Sequence, residues 1–386
     1  MNNFTHYLPT RIQFGKGQIS HLSELAESGE RVLLVYGGGS IKKMGIYDEA
    51  VKLLRDAGLT IYELPGIEPN PKVETVRAGI ALCREHSIDM VLAIGGGSVM
   101  DAAKAIAAGA VYDGDVWELV LDSSKIKGAL PVYTVLTIAA TGSEMDQHAV
   151  ISDMTLNIKQ AMHSDFIKPK MSICDPTYTF SVSKRQTAAG TADMMSHALE
   201  NYFTNVSGGY LQARFGEALL RTCIHYGPIA LEQPENYEAR ANLMWCSTNA
   251  INGIARDGAE VAWCVHPMEH ELSAFYDITH GEGLAILTPR WMEHVLSDKT
   301  AAKFAEYGRN VWDLPADEDD MTVAKKAIAK TAEFFFDVLH TPKTLTEVGI
   351  DDKNFERMAE KASAVCGSSF VPLSKDDVMA IFRRSL

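Results

Sequence analysis

The sequence predicts an α/β N-terminal domain built on a parallel, Rossmann-like sheet, followed by an all-α C-terminal domain. Three observations carry this. Apolar runs of strand length alternate with helical stretches up to about residue 178. Two of those runs end in Gly-Gly-Gly-Ser. After Asp175-Pro176 the strand signal fades and helical periodicity takes over.

Arg31–Tyr36 is the first buried run, closed by Gly37-Gly38-Gly39-Ser40, with a helical pattern to about Ala57. Thr60–Leu64 is a second strand, ended by Pro65-Gly66 and the turn Glu68–Pro71. Lys72–His86 is amphipathic. Met90–Ile94 is a third strand, ending at Gly95-Gly96-Gly97-Ser98, and the alanine-rich stretch Val99–Ala110 is helix. Val132–Thr137 and Met171–Cys174 complete five strands. Near-continuous apolar strands alternating with helices imply a parallel sheet covered on both faces. Helices are expected over about 188–205, 210–227, 236–254, 261–275, 281–297, 300–312, 322–340, 352–365 and 375–384, with Gly227-Pro228, Pro234 and Asp313–Asp320 in surface loops. The expected domains are 1–178, dinucleotide-binding, and 179–386, helical and metal-binding.

Composition narrows the function classes. The 386 residues hold 36 Lys+Arg against 50 Asp+Glu, a net charge of −14. Proteins that grip nucleic acid need a positive footprint, so no nucleic-acid partner is expected. A small anionic cofactor is not excluded, because local backbone dipoles can overrule the global sign. No run approaches the roughly 20 apolar residues of a membrane span, and the N-terminus lacks the apolar core of a signal peptide. The six cysteines never form a Cys-x-x-Cys pair; buried thiols in a reducing, cytoplasmic compartment are expected.

The glycine turns point to a dinucleotide. Glycines let a ligand approach the backbone without a Cβ in the way, and the helix start behind them offers unpaired N–H groups to a diphosphate. Ser98 and Asp101 fit a capping box. Gly-x-Gly-x-x-Gly is not satisfied, since Met100 stands at the last glycine. In the first turn no acid is present to repel a ribose 2′-phosphate, and Ser40, Lys42 and Lys43 follow. NADP is therefore the favoured cofactor and NAD the alternative.

A second constellation points to a metal. Asp193 and His197 are four apart, as are His266 and His270, so each pair shares a helix face. His280 follows within fifteen residues of His266. One carboxylate and three imidazoles suit Fe2+ or Zn2+, and spacing alone does not choose between His266 and His270. His266-Pro-Met-Glu-His270 also matches the inverted zincin pattern His-x-x-Glu-His, in which the glutamate is a base. The glycine turns have no role in a peptidase.

With these motifs in place the chain resembles the iron-containing, or group III, alcohol dehydrogenases, in particular their butanol dehydrogenase branch, which includes broad-specificity aldehyde reductases. The likeness runs from Pro9–Gly17 through Tyr36–Ser40, Glu68–Pro71, Gly95–Asp101, Ala140–Glu144 and Thr187–His197. It is densest in Trp263–Ser273 and Tyr276–Gly281. The resemblance implies a dehydroquinate synthase-like architecture, a homodimer with segment 4–14 as a contact, and hydride transfer between NAD(P) and small aliphatic alcohols or aldehydes such as butanol and butyraldehyde. It implies Asp193, His197, His266 and His280 as metal ligands and His270 as a histidine near the nicotinamide, a candidate proton relay. It places the diphosphate at Gly95, Gly96, Gly97 and Ser98 with Asp101 nearby, and makes Asn70, Thr137 and Lys159 further cofactor contacts. Departures are Gly37, where many members carry an acid, the run Leu136–Thr141, and Asp146 in place of threonine or asparagine. A lyase on the same architecture is the alternative, although 257–280 offers few basic side chains for an anionic substrate. Trp263, Phe275 and Tyr276 are the expected apolar neighbours of the metal.

Overall fold

The computed structural model describes residues 1–386. The chain divides into two compact units, one of residues 7–181 and one of residues 1–6 with 182–386.

The first unit contains β1 (Arg11–Phe14), β2 (Arg31–Tyr36), α1 (Ser40–Lys43), α2 (Ile46–Asp56), β3 (Thr60–Leu64), α3 (Val73–Glu85), β4 (Met90–Gly95), α4 (Gly97–Ala110) and α5 (Val116–Leu121). They are followed by β5 (Val132–Leu136), β6 (His148–Asp153), β7 (Ile158–His163) and β8 (Met171–Cys174). Six strands form one sheet in the order β1-β8-β5-β4-β2-β3, and every pair is parallel. β4 is buried along its whole length and β2 nearly so, which is why their sequences are almost purely apolar. The sixth strand, β1, was not among the five expected: Arg-Ile-Gln-Phe is short, polar at alternate positions and sits at the sheet edge. The antiparallel ribbon β6–β7 was also unanticipated. It joins the unit through the Ser152 N–H, which donates to Pro71 O (2.9 Å).

The second unit contains α6 (Lys184–Tyr202), α7 (Tyr210–Glu232), α8 (Tyr237–Ile251), α9 (Val265–Tyr276), α10 (His280–Val295), α11 (Ala301–Trp312), α12 (Asp320–Glu333), α13 (Phe355–Ser363) and α14 (Lys375–Arg384). α6 is buried all round from Thr187 onward, so it is the central helix. Ser183 caps it by accepting from the Gln186 N–H, which starts it four residues before the expected Ala188. Its far end meets an aromatic cluster in which Phe203 touches Trp291, Phe304 and Tyr307.

Two expectations need correction here. Gly227-Pro228 is not a loop: α7 runs through it to Glu232 with Pro228 inside the helix. Gly227 is buried, and a Cβ there would press on Thr191 of α6 at 3.0 Å, so the site is a tight helix crossing. Residues 1–6, expected with the sheet, belong to the helical unit. The Asn2 N–H donates to Gly258 O (2.8 Å) and His6 pairs with Asp257 (2.6 Å). No helix is long and apolar enough to cross a membrane.

Candidate metal centre and dinucleotide cradle

Three helices of the second unit converge on Asp193. α6 carries Asp193 and His197 one turn apart, α9 carries His266 in its first turn, and α10 begins at His280. Gly281 lets α10 approach: a Cβ there would lie 2.0 Å from the Ala189 carbonyl oxygen of α6. Asp193 Oδ1 lies 3.5 Å from His197 Nε2, 3.7 Å from His266 Nε2 and 3.8 Å from His280 Nε2. Asp193 is only 2% exposed. Asp193 Oδ1 and His266 Nε2 are buried without any hydrogen-bond partner. Buried polar atoms normally find partners. A carboxylate oxygen and three imidazole nitrogens aimed at one another beyond hydrogen-bond range form a donor set of the type that holds Fe2+ or Zn2+, so the residues fit the group. Asp193, His266 and His280 form one compact trio of donor atoms; His197 joins through Asp193 and stacks on His266, ring centroids 4.7 Å apart.

Two glutamates hold the imidazoles: Glu200, which the sequence did not single out, and Glu269, which the His-x-x-Glu-His pattern marked only as a base. Glu200, one turn beyond His197, accepts the backbone N–H groups of Cys264 (2.6 Å), Val265 (2.8 Å) and His266 (3.0 Å) and also bonds His266 Nδ1. It therefore caps α9 and turns His266 Nε2 toward Asp193. Glu269, fully buried, does the same for His280 through Nδ1 and accepts from the Ser273 hydroxyl. That accounts for His-x-x-Glu-His: its glutamate is held by a histidine and a serine rather than facing a substrate as a base. Burial pushes His197 down to about 4 despite Asp193. Burial also disfavours charge on His266, but Glu200 and Asp193 outweigh it and raise the imidazole to about 9. Burial opposes ionisation of Asp193, yet the surrounding imidazoles hold its carboxyl well below the usual range.

His270 stands beside the centre, half-buried, with its ring centroid 6.4 Å from His266 and 5.7 Å from His280. Of the three aromatic neighbours expected, only Trp263 is there, 4.8 Å from His266 and 5.5 Å from His197 between ring centroids. Tyr276 turns its hydroxyl to Asp351 O and Asn354, and Phe275 carries Arg357 and Lys361 on its ring.

The first unit gathers a second set. Strand order β5-β4-β2 brings Thr137, Gly95–Ser98 and Gly37–Ser40 to the carboxyl ends of three adjacent strands. α4 starts at Gly97 with Gly96 as its cap, so the expected Ser98/Asp101 capping box is not formed. The Asp101 carboxylate is instead taken by the Ser143 hydroxyl (2.7 Å) and the Val150 N–H (2.9 Å). A Cβ on Gly97 would lie 2.4 Å from Thr141 Oγ1, so the loop after β5 is pressed onto the glycine turn. That loop is anchored by Lys104, wholly buried on α4, which bonds Asp146 Oδ1, Ser143 Oγ (2.9 Å), Asp146 O (3.1 Å) and His148 O (2.9 Å). Asp146 is thus the counter-charge of a buried lysine. Burial disfavours its anion, but Lys104 and His148 overcome that and lower it to about 2. Asn70 adopts φ 50° in the turn after β3, and Lys159 is buried on β7. Gly39 takes φ 102° ahead of Ser40. Lys42 lies 4.4 Å over the Tyr47 ring and 5.0 Å over Tyr36, whose hydroxyls both donate to Glu63 (2.7 Å each).

The profile described as "Iron-containing alcohol dehydrogenase" matches residues 9–176, and that described as "Fe-containing alcohol dehydrogenase family, C-terminal" matches residues 187–386. The chain belongs to the iron-containing alcohol dehydrogenase family. Among relatives in this family, it is 53% identical to NADH-dependent butanol dehydrogenase A of Clostridium acetobutylicum over 100% of both chains. It is 41% identical to the NADPH-dependent aldehyde reductase YqhD of Escherichia coli, covering 94% of this chain and 93% of that one. Among solved structures, an NADH-dependent butanol dehydrogenase A from Thermotoga maritima superposes with a TM-score of 0.93 at 36% identity, over 100% of this chain and 99% of that chain. The family fold, an α/β unit with a parallel sheet plus a helical unit, is the one described above.

Proposed function

We propose that the chain is an NAD(P)-dependent alcohol dehydrogenase and aldehyde reductase acting on small aliphatic substrates such as butanol and butyraldehyde. The observation that carries the reading is the convergence of three imidazole Nε2 atoms on the partnerless, buried Asp193 Oδ1. When bound, a divalent cation, Fe2+ or Zn2+, supplies Lewis acidity toward the substrate oxygen, and a nicotinamide dinucleotide gives or takes the hydride. Asp193, His197, His266 and His280 hold the cation. Glu200 and Glu269 keep two of those imidazoles in the tautomer that presents Nε2. Half-buried His270 stands beside the ligands, placed to relay a proton between the substrate oxygen and solvent. The helical unit is thus the metal-binding domain and the sheet unit the dinucleotide-binding domain.

In the sheet unit, Gly95–Ser98 receives the diphosphate at the start of α4, with Gly37–Ser40, Asn70, Thr137 and Lys159 as the remaining contacts and Asp101 as their support. The first turn carries no acid, which supports use of NADPH. Lys42 is engaged by Tyr36, Tyr47 and Glu63, so exposed Ser40 and Lys43 are the groups left to meet a 2′-phosphate. Six free cysteines, all buried, support a reducing compartment such as the cytoplasm. Edge strand β1 and the exposed side chains Phe4, Tyr7 and Phe14 support a homodimer contact at segment 4–14. The relatives described above are dehydrogenases and reductases, which leaves the lyase alternative without support.

Steady-state oxidation of NADH and NADPH with butyraldehyde tests the reading. Turnover with both, and kcat/KM for NADPH at least equal to that for NADH, is expected. A strong NADH preference refutes the cofactor assignment, and no aldehyde-dependent oxidation with either refutes the reaction.

A further inference from the structure

The turn between α8 and α9 holds a cation with no anion. Gly253 (φ 102°) and Gly258 (φ 80°) fold the chain tightly there, and the Arg256 and Asp257 N–H groups donate to Gly253 O (2.9 and 2.8 Å). Arg256 emerges half-buried. Its Nε is withdrawn from water without an acceptor, and its guanidinium makes one ring contact, over Trp263 at 5.7 Å. Two carboxylates of this region, Asp257 and Glu200, are otherwise engaged. Asp257 pairs with His6 (2.6 Å), and Glu200 is filled by His266 and three backbone N–H groups. Trp263 is itself fixed, donating from its indole to Asn201 (3.1 Å), and its ring meets those of both His197 and His266 at a tilt, with centroids 5.5 and 4.8 Å apart.

These contacts make a continuous tier: guanidinium, indole, ligand imidazoles. A guanidinium presents five donors in a fork that matches a carboxylate. Leaving such a group half-desolvated and unpaired is unfavourable, and a carboxylate partner relieves that. Trp263 offers an apolar surface for a short methylene chain between the imidazoles and the guanidinium. We propose that Arg256 is a specificity-determining residue that recognises a carboxylate at the far end of the substrate, so that the preferred substrates are short aldehydes and alcohols carrying a terminal carboxylate. The proposal rests on the reading of Asp193 and its histidines as the reacting centre.

The test uses the metal-loaded enzyme with two four-carbon aldehydes, butyraldehyde and 4-oxobutanoate, and the variants Arg256→Met and Arg256→Lys. The wild type should favour 4-oxobutanoate in kcat/KM. Arg256→Met should lower the ratio of the two kcat/KM values about 10- to 100-fold, the range for losing a charged hydrogen-bonded contact, mainly through KM, and Arg256→Lys should recover part of it. Binding of 4-hydroxybutanoate against 1-butanol, followed by tryptophan fluorescence, gives a readout without turnover. The tighter binding of the acid should vanish in Arg256→Met. A ratio and a binding difference that are the same in wild type and Arg256→Met overturn the proposal. Arg256-dependent binding without turnover of either aldehyde supports the carboxylate site and overturns the dehydrogenase reading instead.

Discussion

Glu200 does three jobs with one carboxylate: it caps α9, orients His266 and keeps that imidazole basic. Glu200→Gln keeps the shape but removes the charge. Metal affinity should fall about 10- to 100-fold, the usual consequence of losing an outer partner of a ligating histidine, as read by competition with a chromophoric chelator. The cluster itself was legible because Asp193 and His197 are one helical turn apart and three histidines crowd into fifteen residues. Glu200, and the place of Glu269 behind His280, were not legible, because a glutamate on a helix is by default a solvated charge; only the close approach of α9 and α10 buries them. A third glutamate gives a pH prediction. Burial raises Glu271 on α9 to about 7, with Lys361 and Arg357 pulling the other way, and its Oε2 has no hydrogen-bond partner. The folded state therefore keeps this proton to a higher pH than the unfolded chain, whose carboxyl releases near 4.5. Stability must fall as pH rises between those values. Glu271→Gln should raise the midpoint of thermal unfolding at pH 8, by an effect on the order of 2 kcal/mol, and the gain should shrink as the pH falls toward 4.5 and disappear below it. A gain independent of pH would contradict this.

At the scale of elements, close backbone approaches decide the architecture. Gly281 places α10 against α6 so tightly that Gly281→Ala must move His280 away from Asp193. Reduced metal occupancy with helical content retained is the expected outcome, measured by metal analysis and circular dichroism. In the sheet unit, Lys104 and Asp146 pin the loop after β5 onto the glycine turn. Lys104→Met strands a buried carboxylate and should destabilise the protein by about 3–5 kcal/mol. In whatever fraction remains folded, KM for the dinucleotide should rise more than kcat falls; a fall in kcat alone would show that the loop serves the reacting centre instead. The central strands β2, β4 and β5 were legible because burial on both faces leaves almost only apolar residues. β1 and the β6–β7 ribbon were missed because an edge strand and a two-stranded ribbon keep polar residues. The helix through Pro228 was missed for a different reason: local propensity argued for a break, and packing of Gly227 on Thr191 overrode it.

For the whole molecule, a net charge of −14 coexists with two sets of groups suited to charged ligands, one in each unit. The sheet unit offers an anion the backbone N–H groups at the start of α4. The helical unit offers a cation one carboxylate and three imidazoles. Neither depends on the overall sign, so raising ionic strength to about 0.5 M, where the Debye length is only a few Å, should change KM for the cofactor by no more than a few-fold. The central claim is that the Asp193 cluster makes this family member a metal-dependent dehydrogenase. The most direct measurement strips the metal with a chelator, verifies its absence by elemental analysis and follows NAD(P)H oxidation with butyraldehyde. No oxidation in the metal-free protein, and recovery on adding Fe2+ or Zn2+, is the predicted result. Turnover that persists in verified metal-free protein would contradict the account.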